Sequence, residues 1–214
     1  RRKGQGALHT VSPPPVILLH GFLRTGLAML PMARVLRESG RSTWSPTFIY
    51  QTEGLEGASE RLARLILELG VPVDLVTHSF GGLLARATLP KACIRRVVML
   101  APPNQGAQKA AIARKLLPFH YLGWDPLAPM LPGAPSSLPQ GPAEIAVLAG
   151  GVGKPSGRVD YLDGDNDRTV RVAETHLSGA KVHRVLDVNH TFIIANAQAQ
   201  SLTLAFLEHG ELPG

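Results

Sequence analysis

Residues 75–82 read LVTHSFGG. A β-type run, VDLVTH (73–78), leads into Ser79, and FGGLLARA (80–87) reads as the opening of a helix. A residue caught at such a strand-to-helix turn takes a strained backbone, and its side chain stands free above the sheet. Positions two before and two after it lie close together, so small side chains belong there. Gly81 and Gly82 meet that need on one side. On the other side Thr77 stands where glycine is expected, which makes the turn tighter. On these eight residues alone, Ser79 is either a presented nucleophile or a serine capping the helix that follows it.

The flanking sequence places that turn in a larger pattern. PVILLHGF (15–22) is a short apolar run ending in His20-Gly21, a buried strand stopped by a turn. The stretch 24–40 has apolar residues at helical spacing and a stop at Gly40. STWSPTFIY (42–50) predicts a strand, with Pro46 marking an edge or an irregular start. Residues 59–69 predict a helix with Ser59 as N-cap. Further strands are predicted at 95–103, 143–151 and 181–188, and helices at 80–90 and about 193–209. Strand and helix alternate, and the strands are continuously apolar. That combination predicts a single α/β domain over 1–214, with a mostly parallel sheet covered by helices on both faces. Ligands then bind beyond the carboxyl ends of the strands, where Ser79 and His20-Gly21 fall.

Residues 104–142 interrupt the rhythm. The stretch 102–142 holds nine of the 18 prolines, one short helical pattern at 107–117, and a concentration of apolar residues. Phe119, Tyr121, Leu122, Trp124, Leu127, Met130 and Leu131 make a lid or pocket wall the expected reading.

Bulk composition narrows the function classes. With 214 residues and 44% of them apolar, the chain can build one sizeable core. No apolar run approaches the roughly 18 residues of a membrane span, and no signal peptide is apparent; the compartment, cytoplasmic or exported, stays open. The net charge of +6 is spread over scattered arginines and lysines, and aromatics are 5%. A nucleic-acid surface wants clustered cations with interleaved aromatics, so none is expected, and contact with a lipid surface stays open. Cys93 is the single cysteine, which excludes internal disulfides.

Acyl transfer by serine requires a base, an acid that orients it, and donors for the oxyanion. One donor would be the N–H after the nucleophile, Phe80; the other would be Phe22, freed by the small Gly21. His78 adjoins Ser79 and should point away from its hydroxyl. Of the eight histidines, His190 lies between the last strand and the last helix, on the same side of the sheet as Ser79. His176 is the runner-up, and His183 falls within a strand. YLDGDNDRTV (161–170) supplies the acid, with Asp167 ranked before Asp165 and Asp163. The same segment matches part of a calcium-binding loop, but Arg168 occupies the position that calls for glycine, so no metal site is expected.

The order Ser79, Asp167, His190 on alternating strands and helices resembles the α/β-hydrolase fold, and more narrowly its small bacterial lipase- and esterase-like members. The matching pieces are VILLHGF (16–22), LVTHSFGGLLAR (75–86), LAPPNQGA (100–107), GDNDRTVRV (164–172) and NHTFIIAN (189–196). The resemblance implies a minimal fold lacking the first strands, a serine nucleophile, Phe22 and Phe80 as oxyanion donors, and hydrolysis of small-molecule or lipid carboxylic esters without a cofactor. The chain departs from it at Thr77 and at Arg168, where related chains often carry glycine, so Asp165 stays open as the acid. Acyl transfer to another acceptor, amide hydrolysis, and ligand binding without catalysis are the alternatives.

Overall fold

The computed structural model describes residues 12–116 and 125–213. The predicted wall residues Phe119, Tyr121, Leu122 and Trp124 lie outside them. Six strands form one sheet: β1 (Val16–Leu19), β2 (Thr43–Trp44), β3 (Val73–His78), β4 (Ile94–Leu100), β5 (Glu144–Gly151) and β6 (Val182–Asp187). Their order is β2-β1-β3-β4-β5-β6, and every neighbouring pair is parallel. Between them run α1 (Leu30–Glu38), α2 (Tyr50–Leu69), α3 (Phe80–Thr88) and α4 (Gln108–Leu116), and α5 (Ala197–His209) follows the last strand. This is the six-strand form of the fold that the resemblance implies.

Alternation along each strand builds two cores. Ile17 and Leu19 of β1, Leu75 of β3, Val97 and Met99 of β4 and Val147 of β5 meet α2 and α3 through Leu62, Ile66, Leu83 and Leu84. Val16, Leu18, Val76, Val98, Leu100 and Leu148 face the other way, against Met32 and Leu36 of α1 and Leu202 and Phe206 of α5. Each such side chain, fully buried, contributes roughly 1.5–3 kcal/mol. Both sheet faces are therefore covered, which is why the strands read as unbroken apolar runs.

Two predicted elements differ. The strand expected over 42–50 is only the pair Thr43–Trp44, and Tyr50 already belongs to α2. Phe48 N–H donates to His20 Nε2 (2.9 Å), and the Tyr50 hydroxyl donates to the His20 carbonyl (2.9 Å). The chain after Pro46 folds over His20 instead of extending the sheet edge. Consequently α2 starts nine residues before the predicted Ser59 and breaks at Gly54, whose backbone is not helical. Ser59 sits inside the helix and donates to the Glu56 carbonyl, so it is no N-cap. The predicted helix at 193–209 is divided by Asn196, whose side chain accepts from Ala199 N–H and starts α5.

At the sheet end opposite the nucleophile turn, fully buried Asp74 of β3 is paired with Arg95 and Arg41. No helix of the described residues is long and apolar enough to cross a membrane.

Candidate active site

Ser79 ends β3 with φ 53° and ψ −121°. Few non-glycine residues occupy positive φ, and the strain there is of order 1–3 kcal/mol. The Ser79 side chain makes no capping bond to α3, so the helix-cap reading has no hydrogen bond to rest on. Close packing holds the turn in place. A Cβ on Gly81 would lie 2.5 Å from the Leu19 carbonyl oxygen, a distance only glycine avoids. Thr77 is fully buried between β1 and β4. A Cβ on Gly82 would lie 3.5 Å from the Thr77 hydroxyl, an ordinary contact, and 2.9 Å from Pro102 Cβ, so it is Pro102 and not Thr77 that calls for the bare glycine.

His20 sets the loop after β1. Because Phe48 N–H donates to its Nε2, the ring proton is on Nδ1, which donates to the Gly21 carbonyl at 2.8 Å. Arg24 N–H donates to the same oxygen. Across a trans peptide the following N–H points oppositely, so Phe22 N–H faces away from both donors. Burial lowers the His20 pKa, in keeping with a neutral ring. The sequence showed only a tight turn here; the signal for more was the proline-interrupted segment 42–50, which wraps this histidine.

The acid loop separates the three aspartates. Asp167 is fully buried; its Oδ1 accepts from the N–H groups of Thr169 (2.9 Å) and Val170 (2.7 Å), and its Oδ2 lies 2.7 Å from His190 Nδ1. His190 N–H also donates to the Asp167 carbonyl at 3.1 Å. A carboxylate accepts, so the His190 proton sits on Nδ1 and leaves Nε2 as the ring's acceptor. Asp165 instead accepts from Val152 and Gly153 N–H, and Asp163 from Gln108. Their carboxylates are thus turned to separate partners. His183 and His176 stack on each other, with ring centroids 4.1 Å apart, and His183 bonds Thr175.

Ser79, His78 and His190 line one cavity of about 310 Å³. Its other walls include Phe22, Ala107, Ala110, Leu127, Met130 and Val170. The described part of 104–142 is thus one wall of this cavity. The wall is tied down by Arg86 of α3, whose buried guanidinium donates to the carbonyls of Asn104, Pro135 and Leu138. His78 was expected to turn from the serine hydroxyl; its Nε2 lies 2.9 Å from the His190 carbonyl.

The profile of the alpha/beta hydrolase family matches residues 16–200. Among solved structures, the mature form of Bacillus licheniformis lipase BlEst2 superposes with a TM-score of 0.75 at 21% identity, over 92% of each chain. Phospholipase PlaB from Legionella pneumophila gives 0.58 at 18% identity, over 78% of this chain and 45% of its own. Tomato methylketone synthase I, complexed with 2-tridecanone, gives 0.61 at 11% identity, over 94% of this chain and 99% of its own. At such identities the likeness is one of fold. No curated protein sequence matches the chain.

Proposed function

The chain belongs to the alpha/beta hydrolase family, and from that premise we propose that it is a serine-dependent carboxylic-ester hydrolase. The observation that carries the reading is the Asp167–His190 contact of 2.7 Å, with His190 and the strained Ser79 on one apolar cavity. Ser79 Oγ attacks the ester carbonyl while His190 Nε2 takes its proton. Asp167 holds the ring in that tautomer and stabilises the imidazolium. The N–H groups of Phe22 and Phe80 bind the tetrahedral oxyanion. His190 then protonates the departing alcohol, leaving Ser79 acylated. Water, deprotonated by His190, attacks the acyl-enzyme, and its collapse releases the carboxylic acid and returns the proton to Ser79.

The apolar lining suits an aliphatic acyl chain, and likeness to a structure described as a lipase agrees with that choice. Turnover of a p-nitrophenyl ester series tests the reading. Ser79→Ala and His190→Ala should remove nearly all activity, and Asp167→Asn should lower kcat about ten-thousand-fold, through loss of the correct tautomer. Asp165→Asn should cost far less. No turnover by the wild type, or turnover indifferent to Ser79, would overturn the proposal; a larger loss at Asp165 would reassign the acid.

A further inference from the structure

We infer that His78 is a positioning residue that registers the loop carrying His190 against the turn carrying Ser79. The inference rests on the serine-hydrolase reading above. A carbonyl oxygen only accepts, so the 2.9 Å contact between His78 Nε2 and the His190 carbonyl puts the His78 proton on Nε2. The other nitrogen, Nδ1, is then a bare acceptor, buried and without a hydrogen-bond partner among the described residues. Orphan acceptors in a protein interior are costly and rare, and this one lies beside the cavity floor. It faces Gly21, where an added Cβ would come within 3.0 Å of it. The His78 and His190 rings are tilted 50° with centroids 4.7 Å apart.

One side chain thus bears on three of the four loops that the chemistry needs, all but the loop of Asp167. It is joined through the backbone to Ser79. It is hydrogen-bonded to the main chain of His190, and it packs on Gly21, the residue before Phe22. Asp167 holds the His190 ring and its N–H, while His78 holds its carbonyl. Between them His190 is fixed from both sides of its own peptide planes. Burial, and then the neighbouring His190, push the His78 pKa down to about 3. The ring therefore stays neutral beside an imidazolium that forms in each turnover.

Displacement of a catalytic group by about 1 Å costs on the order of a hundredfold in rate. His78→Phe keeps a ring but has no donor; His78→Gln keeps an N–H at similar reach. Phe should lower kcat about a hundredfold with KM nearly unchanged, and Gln should restore kcat to within about tenfold of wild type. The His190 ring resonances, read by NMR on the full chain, should shift with Phe and stay near wild type with Gln. Phe retaining wild-type kcat, or Gln losing as much as Phe at an equal melting temperature, would overturn the inference. Should Phe fail to fold, Gln decides alone: retention within about tenfold upholds it, and a loss near a hundredfold or more overturns it. The NMR arm needs no turnover. A wild type that hydrolyses nothing, with His190 still responding to Phe and not to Gln, would sink the hydrolase reading and leave the contact standing.

Discussion

Arg168 passes through the left-handed region at φ 82° with an exposed side chain. Its main chain is what the site uses: its N–H donates to Asn166 Oδ1, and its carbonyl accepts from Lys109 and Tyr161. A left-handed residue with a Cβ costs roughly 1–2 kcal/mol, and a glycine's greater freedom in the unfolded chain returns roughly 0.5–1. Arg168→Gly should therefore raise stability by about 0.5–1 kcal/mol, or about 2 °C in a chain of this size. Thermal and urea unfolding check this; a lower midpoint would mean that the guanidinium makes an interaction worth more than the strain. At this scale the sequence was half legible. The departure at Arg168 was visible as a missing glycine, and the acid could be narrowed to three aspartates. The work of His20 and His78 was not legible, because their partners lie 28 and 112 residues away. Nothing in a local pattern encodes such a distance.

The element that shapes the cavity is the excursion after β4, and Arg86 is one of the groups that fasten it. Arg86 reaches from α3 to the carbonyls of Asn104, Pro135 and Leu138 at 3.1, 2.9 and 2.9 Å. Burial lowers its pKa. Replacing it with methionine fills similar space and takes the Arg86 donor from the Asn104 and Leu138 carbonyls, at about 1–3 kcal/mol each where they stay buried, while Pro135 keeps the Leu138 N–H. Arg86→Met should lower the melting temperature by several degrees and speed proteolysis within 104–138. KM for long-chain esters should rise more than kcat falls, since Ala107, Ala110, Leu127 and Met130 line the cavity from this wall. An unchanged melting temperature and cleavage rate would show that the wall stands without Arg86. Periodicity predicted the helix now seen as α4, and composition predicted a wall. Neither predicted that a helix two elements earlier would hold it, because Arg86 reads as the polar face of α3. The same limit explains 42–50: β-type residues were present, but their hydrogen bonds go to His20 and not to a sheet edge.

Over the whole molecule, strand runs, helix periods and their alternation were enough to read the architecture, since both sheet faces are apolar and each is covered. Charge placement was not readable, and it governs the response to acid. Burial pushes His78 down to about 3 and His183 down to about 4, and lowers His20 as well. Each of these rings is neutral in the folded chain at a pH where the unfolded chain, near its ordinary value of about 6.5, binds a proton. The unfolded state therefore holds more protons below pH 6.5, and stability must fall as pH drops through that value toward the folded values. Each such histidine adds a slope approaching about 1.4 kcal/mol per pH unit in that window. Glu144, hydrogen-bonded by Lys181 and Arg96, is held down to about 2, so its contribution is full above about 4.5 and is lost below it. The two windows differ, which makes the expectation specific. Urea unfolding at a series of pH values should give a plateau above pH 7 and a decline that begins near 6.5, above the window in which Glu144 contributes. His78→Gln, if folded, should flatten the part of the decline between 6.5 and 4.5. Constant stability from pH 7 to 5 would mean that these rings accept protons in place, and that the cavity floor around His78 is wetter than its burial implies.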